Sequence, residues 1–312
     1  CLFFLLKQRY INNSNQIVRF QKGTNYICTM RSLIVCICLL SQISFAQKAD
    51  STRAFYIALG TEIALYSTTM YALNHLWYKD YPKSSFHWIN DNSNWLQMDK
   101  VGHATTAYQV GMLGKDLMEW GGVSEKKALW YGGLYGAFFL TTIETLDGFS
   151  EEWGASWGDL IANTSGTFVF IGQELLWKEQ RIQMKYSFKT SEYAKYRPDL
   201  LGSNFLQQSL KDYNGQVYWL SFNFNAFKKT SLPDWLNVAI GYGAGGMYNG
   251  NPDEEGTHRE FYASLDINLR NIKTERKFLD KTLKILSFIK VPMPAFKLSQ
   301  NKLTFYPLHY GQ

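Results

Sequence analysis

Hydrophobic and polar positions change rhythm near residue 181. Before it lie long stretches of helical character, roughly 53–78, 99–120, 125–145 and 158–178; after it, shorter runs alternate apolar and polar residues, with Gly, Pro and Asn between them. A repeat near 3.6 argues for helices, and a repeat of two for strands with one buried face. In the second half Ile182, Met184, Tyr186 and Phe188 alternate with polar neighbours, as do Tyr218, Leu220, Phe222 and Phe224, then Phe261, Ala263, Leu265, Ile267 and Leu269. Stretches 235–243, 283–290 and 303–310 bring the count to about six strands. The expected fold class is α+β: an N-terminal bundle of about four apolar helices, then an antiparallel β region of about six strands packed on them. A short barrel would need further strands between 190 and 215, because bacterial single-chain outer-membrane barrels have eight or more.

Two helical stretches raise the question of a membrane. Residues 54–73 have the length to cross a bilayer, with Glu62 as their one charge, and 128–143 are uncharged but short. Gly132-x-x-x-Gly136 is a spacing that lets helix backbones approach closely in lipid. Trp77, Tyr78, Trp120, Trp130, Tyr131, Trp157 and Trp177 sit near the helix ends, where an interfacial belt would put them. A soluble bundle with an aromatic core accounts for the same pattern, and Asp116, Glu119 and Glu174 favour it for the second and fourth helices.

The N-terminal region changes how the composition is read. Met30-Arg31 followed by the apolar run Leu33–Leu40, with Ser44-Phe45-Ala46 behind it, has the form of a secretory signal cleaved before Gln47. The expected organisation is therefore an upstream extension (1–29), a signal peptide (30–46), a helical domain (47–180) and a β region (181–312). All four cysteines precede that cut, so the mature chain is expected to use neither disulfides nor thiolate metal sites. Gln47 stands where a lipoprotein carries its Cys, so a lipid anchor is not expected. Lys7, Arg9, Arg19, Lys22 and Arg31 also precede the cut and no acid does, which takes the formal charge from +6 to near neutrality. A near-neutral chain has no electrostatic case for nucleic acid as partner.

One polar set interrupts the apolar helices: Asp99-Lys100-x-x-His103, then Glu144-x-x-Asp147, then Ser156-x-x-Asp159-x-x-x-Asn163-x-x-Gly166. Ionisable groups in such surroundings are costly to bury, so they imply mutual pairing or a site. Asp99 and His103 share a helix face at four residues apart, while Lys100 points about 100° away. Asp99 could cap its helix, Lys100 could be solvated and His103 could be a satisfied core histidine; an imidazole can also carry a proton near neutral pH or ligate a metal. Ser156-x-x-Asp159 fits a capping box ahead of Leu160. Asn163 and Gly166 continue that face and predict a close helix crossing with a polar contact. Glu144 and Asp147 end a helix, where carboxylates oppose the dipole and call for a Lys, a His or a metal nearby.

Together these residues resemble the YfiM-like family of predicted periplasmic lipoproteins, a domain of unknown function, over about residues 95–175. They are similar, more distantly, to VanZ-like membrane proteins, which have a comparable Asp-Lys-x-x-His, a later Glu and Asp-x-x-x-Asn-x-x-Gly. The β region, including Tyr213-Asn214-Gly215-Gln216-x-Tyr218-Trp219-Leu220-Ser221, is similar to the extension of Bacteroidetes members. The resemblance implies a periplasmic, membrane-associated envelope address and a shared helical core, and carries no established reaction.

Several common signatures are missing: there is no P-loop, H-E-x-x-H or Cys cluster. Gly241, Gly243, Gly245 and Gly246 lead into no helix, and predict a bend or close approach rather than a phosphate loop. His75, His87, His258 and His309 are scattered and read as surface or loop residues; Asn249–Gly256 reads as a solvated acidic turn. Two functions fit. In the first, a noncatalytic envelope protein uses the polar set to lock its helices, with a membrane or envelope component as partner. In the second, an enzyme or binder of a lipid-linked, phosphate-bearing substrate uses His103 as general acid or base and Lys100 for an anionic group. Glu144, Asp147 or Asp159 then orients the imidazole or holds a metal, with Asp99, Ser156 and Asn163 completing the set. The sequence names no cofactor and no particular metal.

Overall fold

The computed structural model describes residues 51–74, 78 and 82–311. The upstream extension, the signal peptide, the four cysteines, His75 and Trp77 lie outside the described residues. In chain order the elements are α1 (Ser51–Leu73), β1 (Trp88–Ile89), α2 (Met98–Trp120), α3 (Glu125–Gly133), α4 (Tyr135–Asp147), β2 (Ala155–Ser156) and α5 (Trp157–Trp177). Then come β3 (Ile182–Phe188), α6 (Phe205–Lys211), β4 (Gln216–Phe222), β5 (Leu236–Gly245), β6 (His258–Ile267), α7 (Lys277–Leu286), β7 (Met293–Ser299) and β8 (Lys302–His309). The α+β class holds, with a six-stranded antiparallel sheet in the order β3-β4-β5-β6-β7-β8.

Three expectations about elements change. Stretch 283–290 is not a strand: α7 runs to Leu286, because the spacing of Phe278, Leu279, Thr282, Leu283 and Leu286 suits a helix, and only Phe288–Lys290 run beside Tyr186 of β3. The sixth strand is β7, whose Pro294 weakens the strand pattern in the sequence. The third helix is two, α3 and α4, divided at Leu134. Among the described residues no helix is long and apolar enough to cross a membrane: charged residues interrupt every long one, and in α1, which carries Arg53 and Glu62, Thr, Ser and Tyr lower the hydropathy further.

Helices α2, α3, α4 and α5 cross at small residues. A Cβ on Gly114 would lie 2.6 Å from the Gly132 carbonyl oxygen, one on Gly111 2.6 Å from that of Gly133, and one on Gly166 would meet the Ala104 carbonyl. Backbones at that distance leave room for side chains only beside the crossing, where Tyr108, Met112, Leu129, Phe170 and Ile171 form the core with Met184 of β3. The outer face of β3 and β4 therefore packs on α2, as expected. Gln109 Nε2 donates to the Met184 carbonyl, the Tyr108 hydroxyl donates to Gln180 Oε1, and Arg270 after β6 grips both oxygens of Asp116 at 2.7 and 2.8 Å.

Beyond β4 the sheet is inverted. Its concave side holds a polar network beside a small apolar cluster of Val217, Trp219, Ala239 and Tyr262: Lys185 and Asp266, both fully buried, pair at 2.7 Å; Ser221 donates to Asp266 at 2.6 Å; Asn237 donates to Ser221; and Lys290 donates to Ser264. Gly241 lets the Trp219 ring lie flat inside, which is the close approach expected there. His309, read from sequence as a surface residue, is buried on this side, with ring centroids 4.8 Å from Tyr262 and 5.6 Å from Trp219; burial lowers its pKa to about 4. Contact from β8 to β4 means that the sheet curls, and Tyr186 N donates to the Phe288 carbonyl along its opposite edge. The convex side carries Ile240, Phe261, Leu265, Phe296, Leu298, Leu303, Phe305 and Leu308, all exposed.

Candidate functional site

The cluster is assembled from five segments. The first is the loop before α2, which turns through three successive left-handed residues, Trp95, Leu96 and Gln97, at φ 52°, 50° and 65°. Such conformations are strained for residues with a Cβ, and here burial of Leu96 and a bond from Trp95 N to the Gly250 carbonyl hold them. The turn brings Asp91 back over the first turn of α2. On the other side Trp88 of β1 pairs with Ala155 of β2, and the Trp88 ring stacks on Trp157 at 4.2 Å and 8°.

Helix α5 starts where the capping box predicts. Ser156 is extended, its hydroxyl accepts from Asp159 N at 3.3 Å, and Asp159 sits in the first turn, where the helix dipole favours a carboxylate. The same hydroxyl donates to Asp91 Oδ1 at 2.6 Å, and Ser156 N donates to Glu144 Oε2 at 3.1 Å. Asp99 does not cap α2: its Oδ1 accepts the Tyr213 hydroxyl at 2.5 Å.

Lys100 leaves the direction its helix position suggests. Its flexible stem carries Nζ to Asp91 Oδ2 at 2.6 Å, Asp99 Oδ2 at 3.0 Å and Asp159 Oδ2 at 3.0 Å. Three N–H donors thus meet three carboxylates, and none is left to face an anionic ligand. Burial alone would lower the lysine's pKa, but Asp99 and Asp159 outweigh it and raise it.

His103 lies at the centre. Its Nδ1 is 2.9 Å from Asn163 Oδ1, an acceptor that favours the tautomer with a proton on Nδ1. Nε2 faces Asp99 Oδ1 at 3.7 Å and Asp159 Oδ1 at 4.0 Å, and Glu144 Oε1 is 3.7 Å from Nδ1. Burial works against the charged imidazolium, yet Asp99, Asp159 and Glu144 together hold its pKa above the ordinary value. Burial raises Glu144 to about 8, Asp159 to about 6 and Asp147 to about 6. For Asp99, His103 and Lys100 outweigh burial and the carboxyl is lowered.

All the residues singled out in the sequence converge except Asp147, which lies one helical turn beyond Glu144 and accepts the Tyr78 hydroxyl at 2.7 Å. Gly166 gives the close crossing expected of it, and Asn163 gives the polar contact. The sequence reading missed Asp91 and Tyr213. Asp91 sits in an Asn- and Ser-rich turn that looks like any loop, and Tyr213 lies in the β region, inside the stretch already likened to a family extension.

Two surface clefts lie apart from this centre. One is lined by Asn223, Asn225, Asp234 and Arg270; the other by Tyr78, Lys83, Leu146 and Phe149. Neither is lined by His103, Lys100 or Asp159. The arrangement can exchange protons near neutrality and can hold positive charge.

This is also the stretch of chain that known proteins share. Residues 87–171 match the family described as predicted periplasmic lipoprotein (DUF2279). Every cluster residue except Tyr78 and Tyr213 falls inside the matched segment, and the description supports an exported, cell-envelope location. No curated protein and no solved structure matches the chain.

Proposed function

We propose that the chain is a noncatalytic envelope protein that sits against lipid, its buried polar cluster locking the helices that carry it. The observation that carries the reading is the inverted sheet. A strand exposed to water puts polar residues outward, whereas a lipid-facing strand alternates apolar-out and polar-in. Strand β6 alternates in the second sense: Phe261, Ala263 and Leu265 are exposed, while Glu260, Tyr262, Ser264 and Asp266 are buried. The apolar face continues over β7 and β8, where Leu303 is 66 % exposed, and this exceeds what single scattered residues produce. Helix α7 adds Phe278, Leu279, Ile285 and Leu286, all exposed, beside Lys277, Lys281 and Lys284, the chemistry of a helix lying at an anionic interface.

The likeness of the polar set to YfiM-like proteins of Bacteroidetes and to VanZ-like membrane proteins is in keeping with this. The lock accounts for the cluster because paired buried charges specify one packing arrangement even where they add little stability. Flotation on a density gradient tests the reading. The purified protein is expected to rise with vesicles of phosphatidylethanolamine and phosphatidylglycerol, and Phe261→Glu with Leu303→Glu to stay lower; wild-type protein remaining in the dense fraction would sink it.

A further inference from the structure

We infer that Asp99, His103 and Asp159 form a binding site for a divalent transition-metal ion, with Lys100 and Asn163 as its outer support. This deepens the reading of the cluster as a lock and makes the ion part of it. The three donor atoms, Asp99 Oδ1, His103 Nε2 and Asp159 Oδ1, lie within 4.8 Å of one another. Metal–ligand bonds of about 2.0–2.2 Å place neighbouring ligands about 3.0–3.6 Å apart, so the 3.7 and 4.0 Å separations from the imidazole need to close by only a few tenths of an ångström, and the two carboxylate oxygens, within 4.8 Å of each other, by up to about an ångström.

Three features separate this from an ordinary acidic patch. Asp159 is 4 % exposed, and its Oδ1 has no hydrogen-bond partner among the described residues while it faces the imidazole. A buried carboxylate oxygen in that state costs free energy unless a cation meets it. Asn163 accepts from Nδ1 and so leaves the Nε2 lone pair turned toward both aspartates, which is the outer-ligand arrangement that fixes a metal-binding histidine. Lys100 takes the Oδ2 atoms of Asp91, Asp99 and Asp159, which leaves Asp159 Oδ1 free for the ion and Asp99 Oδ1 shared between the ion and the Tyr213 hydroxyl. Three carboxylates against one ammonium leave two negative charges over, the complement of a divalent cation. One imidazole with two carboxylates suits Zn²⁺ or Mn²⁺ better than Ca²⁺, which prefers an all-oxygen shell.

Isothermal titration of the EDTA-treated full-length protein with Zn²⁺, Mn²⁺ and Ca²⁺ tests this, with the melting temperature read in parallel. One equivalent of Zn²⁺ or Mn²⁺ is expected to bind and to raise the melting temperature, with Ca²⁺ weaker. Asn163→Ala should loosen binding by about 10–100-fold, as loss of an outer partner does, His103→Gln should abolish it, and Asp147→Asn, outside the triangle, should leave it intact. Should His103→Gln not fold, Co²⁺ added to the wild-type protein gives the visible absorption of a nitrogen- and oxygen-ligated ion. Wild-type protein that binds none of these ions, or binds them equally well as His103→Gln, overturns the inference. Vesicle flotation that persists in EDTA keeps that failure distinct from a failure of the membrane reading.

Discussion

At the scale of single residues, the cluster is a small volume in which negative charge outnumbers positive, and protonation is how the protein alone relieves it. Glu144 illustrates the sign. Its pKa rises from 4.5 to about 8 on folding, chiefly through burial, so the folded state holds that proton more tightly than the unfolded one. Stability from this group is present at low pH and declines as pH climbs from 4.5 through about 8. Asp159, raised to about 6, acts in the same direction. His103, also raised, contributes most below the ordinary imidazole value and loses its contribution as pH rises through its folded value. In metal-free protein the melting temperature should therefore fall between pH 5 and 8. Glu144→Gln, which keeps an acceptor for Ser156 N without a titrating proton, should flatten that fall; equal slopes in the two proteins would refute the assignment.

At the scale of elements, glycine contacts and one capping box set the geometry. Gly166 lies against the Ala104 carbonyl, so Gly166→Ala should push α5 off α2 and cost about 1–3 kcal/mol, the usual range for overpacking. Gly172, on the same helix, has open space where its Cβ would be, and Gly172→Ala should instead stabilise by up to about 1 kcal/mol through helix propensity. Urea denaturation of the two variants gives the comparison, and similar effects would mean that the crossing tolerates a methyl. Part of this was legible in the sequence, because a capping box acts through neighbours three residues away and Asn163 and Gly166 fall on one helix face at that spacing. Ser156-x-x-Asp159 starts α5 where it should, and Asn163 finds its polar partner. The left-handed turn at Trp95, Leu96 and Gln97 was not legible, since residues that adopt it only under tertiary constraint leave no local mark. Nor was the direction in which β6 faces: alternation gives the period of a strand and is silent on which side meets the solvent.

At the scale of the whole molecule, the helical and β regions are tied together by charge as well as by packing. Arg270 grips Asp116, Tyr213 reaches Asp99, and a Cβ on Gly102 would lie 2.6 Å from the Tyr218 hydroxyl. Regions joined in this way should unfold together, and denaturant curves followed by tryptophan fluorescence and by far-ultraviolet circular dichroism should coincide; separate midpoints would show two independent units.

The bond between Tyr213 and Asp99 spans 114 residues of chain. Contacts that distant form after local ones, because a long loop must close first. The helices can thus gather their carboxylates around Lys100 while the wall built by Tyr213 is still missing. Until the second half of the chain is in place, that centre of negative charge would lie open on the side that Tyr213 covers in the folded protein.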